Sequence, residues 1–189
     1  PIMVDSDHTY VPADGLHVVL GSDASTKRSV GHLSIHIDEP LGAQLLLWEY
    51  ATAIAGFLMD VDPFDQPNVE ASKLATREVL ADFASASKPD FIDGSIRGWG
   101  CDARNLDSAI AGLKAQVDPR GFVALCWYLD RWRLEGIETI ASDLSARVER
   151  PVSFGWGPRY LHSTGQLHKG GPSFGSFIHV SAVSAHDFP

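Results

Sequence analysis

Strand-like apolar runs that alternate with helix-type patterns predict an α/β protein with a mainly parallel sheet. Five β-type runs carry that expectation: LHVVL, HLSIHI, FVALCWYL, PVSFGWG and GSFIHVSAV. A Gly/Pro/Asp-rich tract at residues 85–105, SASKPDFIDGSIRGWGCDARN, then divides the chain into two lobes, residues 1–85 and 86–189. With 189 residues, 44% of them hydrophobic, the chain has enough apolar material for a real core.

Taken in order, the first two runs are short strands, the second with alternating polarity. The polar segment between them, GSDASTKRSVG, is too short to hold a good crossover helix. After Pro40 the apolar segment at 41–57 reads as a helix buried inside a soluble domain. The loop DVDPFDQP leads to a second helix at about 67–84, because Pro67 at the first turn with Asp65 and Gln66 before it is a helix start. In the second lobe, residues 106–116 read as a helix and VDPRG as a turn. FVALCWYL is a buried strand and residues 135–147 an amphipathic helix. PVSFGWG and GSFIHVSAV are strands, joined through HSTGQLHKGG. No internal repeat or low-complexity tract interrupts this pattern.

The net charge of −9, with no Lys/Arg run beyond two residues, disfavours nucleic acid as a partner, since a phosphate backbone needs a concentrated basic surface. LGAQLLLWEYATAIAGFLM is long enough for a membrane span. It contains Gln44, Glu49 and Thr52 and lacks basic flanks, so no membrane is expected. Cys126 lies in an apolar run and reads as a small buried hydrophobe. A disulfide to Cys101 stays open and says little about secretion. With no signal peptide, the expected location is the cytoplasm. The chain starts at Pro1 without Met and stops at AHDFP, so both ends read as cuts in a longer protein.

The residues that point to chemistry lie in DPFDQPNVEASKLATREVLADF. At 100° per residue the apolar stripe of this helix centres on Val69, Thr76, Leu80 and Phe83, and Lys73 falls about 60° to one side. A lysine at a stripe edge is ordinarily a snorkelling surface residue. Here Gln66 stands at the helix entrance, where free amides favour an oxygen-rich or anionic ligand. Lys73, two turns in, can lean back toward that end. A partly desolvated lysine there can protonate or polarise a sugar oxygen.

FDQPNVEASK resembles the signature of the phosphoglucose isomerases: Phe-Asp-Gln, then Gly-Val-Glu two residues on, then Lys three after the Glu. Phe64, Asp65, Gln66, Val69, Glu70 and Lys73 match, while Asn68 stands where the pattern has glycine. PFDQPNV and GPRYLHSTGQLHKGGP together look like the isomerase part of bifunctional transaldolase/phosphoglucose isomerase proteins. The resemblance covers roughly residues 35–189. It implies a three-layer sugar-isomerase (SIS-like) fold, with lobe 1–85 as its carboxyl-terminal half. It also implies interconversion of glucose 6-phosphate and fructose 6-phosphate by acid/base ring opening and enediol proton transfer. In that scheme Lys73 assists ring opening and Gln66 contacts the sugar phosphate. Glu70 is not expected to be the base. The family's base, ring-opening histidine and principal phosphate contacts lie amino-terminal to the signature, and nothing in the residues before it here reads as those sites. Glu70 instead steers Lys73 from three residues away. The piece alone is therefore expected to be inactive. The alternative is a non-catalytic sugar-phosphate-binding or regulatory module of the same fold, and a homo-oligomer stays open.

HSTGQLHKGG itself fits neither a metal site nor a Walker loop. His162 and His168 match no common zinc spacing, and Gly-Gly follows Lys169 where a Ser/Thr would ligate magnesium. No metal and no cofactor are expected. Two readings remain, an anion cradle of backbone amides with Arg159 and Lys169, or a polar connection between strands packed on a neighbouring lobe or subunit. Trp127, Tyr128, Trp132, Phe154 and Trp156 are expected in packing rather than sugar stacking. The histidines outside the segment, His179 among them, read as surface or satisfied strand residues.

Overall fold

The computed structural model describes residues 15–21, 33–65, 73–78, 80 and 88–183. They group into two compact units, one within Ala13–Pro67 and one within Asn68–Pro189. In the first, β1 (His17–Leu20) and β2 (Ser34–Ile37) pair in parallel, His17 opposite Ser34 through Leu20 opposite Ile37. Pro40 then opens α1 (Leu41–Met59), where the Gln44 side chain donates to the Glu39 carbonyl at 2.6 Å.

α1 ends because Asp60 turns left-handed, with φ 55°, and the Val61 amide reaches back to the Gly56 carbonyl at 2.9 Å. Gly56 is required by this reversal. A Cβ there would stand 3.0 Å from the Val61 carbonyl and 3.2 Å from the Pro63 ring. The expected helix forms, but the expected burial does not. Gly56 is its one buried residue, and Phe57 is 85% exposed. The reason is geometric. A helix apolar all round needs packing on every side, and two four-residue strands offer far less surface than its 19 residues. Its length and composition also suit a membrane span, though Asp38, Glu39, Asp60 and Asp62 flank it without a basic anchor.

In the second unit the described helical residues 73–78 and 80 precede a hairpin, which lies in the tract expected to be a boundary between lobes. β3 (Phe91–Asp93) and β4 (Ile96–Gly98) pair antiparallel around Gly94, whose φ of +59° favours glycine. The Phe91 ring fills the space a side chain on Gly98 would take. Such three-residue strands carry too little periodicity to be read from sequence. The hairpin leads into α2 (Leu106–Gln116). Asn105 and Ser108 cap it reciprocally at 2.9 and 3.1 Å, and the Asp93 carboxylate accepts the Leu106 amide at 3.1 Å.

The sheet that organises this unit has the order β6-β5-β7, all parallel: β5 (Phe122–Tyr128), β6 (Val152–Trp156) and β7 (Gly175–Ser181). A 3-10 turn (Ile137–Thr139) and α3 (Ile140–Val148) link β5 to β6. A second 3-10 turn (Arg159–His162) and α4 (Gly165–Gly170) link β6 to β7. HSTGQLHKGG is thus helical, not a loop. Leu161 and Leu167 give it apolar anchors, the His168 amide bonds the Thr164 carbonyl at 3.0 Å, and Gly171 closes onto Leu167.

β5 is buried on both faces, as parallel strands are. Val123 and Leu125 pack with Val117, Ala141, Leu144, Val148 and Val152 on one side. Phe122, Ala124 and Cys126 pack with Tyr160 on the other. Cys126 is buried and free, and Cys101 is also unpaired, so the disulfide left open by the sequence does not form. Ser145, the buried polar residue of α3, donates to the Arg150 carbonyl at 2.6 Å.

Leu125→Ala is expected to lower unfolding free energy by about 2–5 kcal/mol, because a cavity opens in a close-packed strand. Leu45→Ala, on exposed α1, is expected to stay within about 0.5 kcal/mol. Urea denaturation of the two variants checks the contrast.

Candidate functional site

The approach to the signature is a tight acidic turn. The Phe64 amide donates to the Asp62 carboxylate at 2.8 Å, and Phe64 is 88% exposed. Gln66 and Glu70 lie outside the described residues. Lys73 is helical and exposed, as are Thr76 and Leu80, two residues of the stripe expected to face a core. A single lysine at a helix surface can supply a proton or a positive charge to a ligand oxygen; it cannot by itself supply the base that an aldose–ketose proton transfer needs.

Arg159 and Lys169 are both exposed, Arg159 at the start of the 3-10 turn and Lys169 in the last turn of α4. That end of a helix presents carbonyls, which suit a lysine better than an anion. The amides of His168 and Gly171 are already bonded within the helix. An open depression of about 460 Å³ lies elsewhere, lined by Asp90, Gly100, Cys101, Asp102 and Ala103. Its carboxylates disfavour an anionic ligand.

What the fold does assemble is a ring cluster on one face of the sheet. Parallel pairing sets Cys126 beside His179, and Tyr128 stands two residues on from Cys126 on the same face. The Tyr128 and Tyr160 hydroxyls bond at 2.9 Å. Tyr128 stacks on His179 with centroids 6.2 Å apart. His168 lies 5.4 Å from the Tyr160 ring and 4.9 Å from Phe177. Burial and the Tyr128 hydroxyl push the Tyr160 phenol far above its ordinary value, and burial raises the Cys126 thiol. Burial, and then the charge of His179, hold His168 below its ordinary value. At neutral pH the phenol and the thiol keep their protons and His168 stays uncharged, so none of the three is an activated nucleophile.

On the opposite face Trp127, Phe154 and Trp156 pack together, as expected, with centroids 5.2 to 6.3 Å apart. The Trp156 indole donates to Glu138 at 2.9 Å. The Glu138 carboxyl is held below its usual range, first by its own backbone amide and then by that indole. Trp132, expected in packing, is 80% exposed with the Arg131 guanidinium 4.3 Å over its ring. Its place in the turn after β5, beyond the sheet, keeps it out of the core. No group of three metal-binding side chains occurs among the described residues.

The cluster was not visible in the sequence because its members meet only through the β5–β7 register. The usable signal was the alternation Phe122, Ala124, Cys126, Tyr128, which places a thiol and a phenol on one side of a strand.

No known protein family matches the chain, and no solved structure matches it. Over 74 residues it is 36% identical to a glucose-6-phosphate isomerase of Levilactobacillus brevis. The match takes in 37% of this chain and 15% of that protein's length.

Tyr128→Phe removes one partner of the buried Tyr160 hydroxyl while keeping the ring. An expected loss of about 1–3 kcal/mol follows from leaving that hydroxyl short of a bond. Thermal unfolding of the variant beside the parent measures it.

Proposed function

We propose that this chain is part of a glucose-6-phosphate isomerase, and that its isomerase portion belongs to a transaldolase-fused enzyme. The observation that carries the reading is the similarity over 74 residues to such an isomerase, together with the pattern FDQPNVEASK. In this reading residues 1–85 are the carboxyl-terminal half of a three-layer sugar-isomerase fold, and residues 86–189 are a second α/β lobe. The parallel β1–β2 pair with α1, and the parallel three-stranded sheet, support α/β architecture in both.

Lys73 then donates a proton, or holds charge, at the ring oxygen of glucose 6-phosphate or fructose 6-phosphate. Gln66 at the helix entrance holds the substrate's oxygens. A carboxylate supplied by another part of the longer protein moves the proton between C2 and C1 through the enediol. The protein works in the cytoplasm, with neither metal nor cofactor in this step, and Arg159 and Lys169 remain candidates for a secondary anion contact. The exposure of Lys73 favours a second reading, a non-catalytic sugar-phosphate-binding or regulatory module.

Lys73→Ala in the full-length protein separates the two. As an isomerase it is expected to lose about 10²- to 10⁴-fold in kcat/KM with unchanged thermal stability. Parental turnover in that variant would sink the role of Lys73. The isolated 189-residue chain is expected to show no isomerisation of glucose 6-phosphate in a coupled assay. Activity in that chain would place the base within it.

A further inference from the structure

The face that α4 closes has an unusual charge pattern. Residues 151–186 contain no aspartate or glutamate, although the chain has 24 such residues. β5 contains none either. Among the described residues, the ionisable groups on the elements packed against His168 are therefore neutral or basic. The 3-10 turn brings Tyr160, with its ring 5.4 Å away. β7 brings His179, along with the Phe177 ring at 4.9 Å. β5 brings Tyr128, stacked on His179, and Cys126 beneath Tyr160. β6 brings no ionisable group. On its own segment His168 is followed by Lys169 and preceded by Arg159 and His162, all three exposed. An imidazolium here would lose water, gain no carboxylate and face a second imidazole.

We propose that His168 is the trigger of an acid-operated latch: α4 stays docked on the sheet while the His168 ring is neutral, and lifts when that ring gains a proton beside His179. The packing makes His168 a suitable release point. Its ring lies against Tyr160 and Phe177, while Leu161 and Leu167 of the same segment cover the side of β5 that holds Cys126. Lifting α4 uncovers that thiol.

The sign follows from proton linkage. His168 has a folded value below its ordinary one, near 6.5, so the released state binds protons more readily. Docking is fully stable above about pH 6.5 and weakens as pH falls from there through the depressed folded value. Each unit of that depression shifts the latch equilibrium tenfold.

The test uses the 189-residue chain and the thiol reagent 4,4′-dithiodipyridine, from about pH 7.5 to about pH 5. Cys101, which is free and lies beside Asp90 and Asp102 rather than under α4, is the internal reference for the reagent at each pH. The Cys126-to-Cys101 rate ratio is expected to rise as His168 protonates, with far-UV circular dichroism largely retained. His168→Phe keeps a ring but cannot charge, and should give a flat ratio. His179→Gln should move the midpoint of the rise toward pH 6.5. NMR of the histidine rings should place His168 below the ordinary histidine value of about 6.5. A flat ratio in the parent, an unchanged rise in His168→Phe, or global loss of the circular dichroism signal alongside the rise would each overturn the latch. If His168→Phe fails to fold, the parent's ring titration decides: a His168 midpoint at or above about pH 6.5 also overturns it.

Discussion

The second unit depends on a single requirement, that β5 be covered on both faces. All seven residues of Phe122–Tyr128 are apolar or aromatic, and the first five are buried. A parallel strand of this kind cannot stand at a surface, so the chain must place one helix on each side of it. α3 covers Val123 and Leu125, while the Tyr160 turn and α4 cover Phe122, Ala124 and Cys126. The chain therefore crosses from one face to the other between successive connections. Ser145, whose hydroxyl caps the Arg150 carbonyl, fixes the entry to β6 after the first crossing.

The same requirement explains why the most diagnostic polar stretch is not a loop. HSTGQLHKGG carries few apolar residues, but Leu161 just before it and Leu167 within it are enough to hold a short helix over the sheet. Its polar composition then has a structural meaning. His168 fills a site between aromatic rings, and Lys169 faces solvent. The groups gathered there are held in their neutral forms by burial, which suits packing better than proton transfer.

The first unit presents the opposite case. α1 is apolar on every side and has little around it, so its burial requires surface that β1 and β2 do not provide. A helix of this composition marks a place where sequence propensity and available contacts diverge.

The sequence by itself determined the elements whose signal is local. The strands Phe122–Tyr128, Val152–Trp156 and Gly175–Ser181 follow from continuous or alternating apolar runs, and α2 follows its Asn105 cap. The helix expected at about 67–84 is present at 73–78 and 80, and both of its expected ends lie outside the described residues. Tertiary structure alone decided three things. The hairpin pairing sets the Phe91 ring over Gly98, where no side chain could stand. α1 stays exposed because burial depends on what else is present, not on hydropathy. His168 meets Tyr160 and Phe177, with His179 close enough to act on its charge, because β7 pairs with β5, a contact about fifty residues away in the chain. Local pattern fixes which residues can form a helix or strand, but neighbours across the sheet are set by register and closure, which no short stretch of sequence encodes.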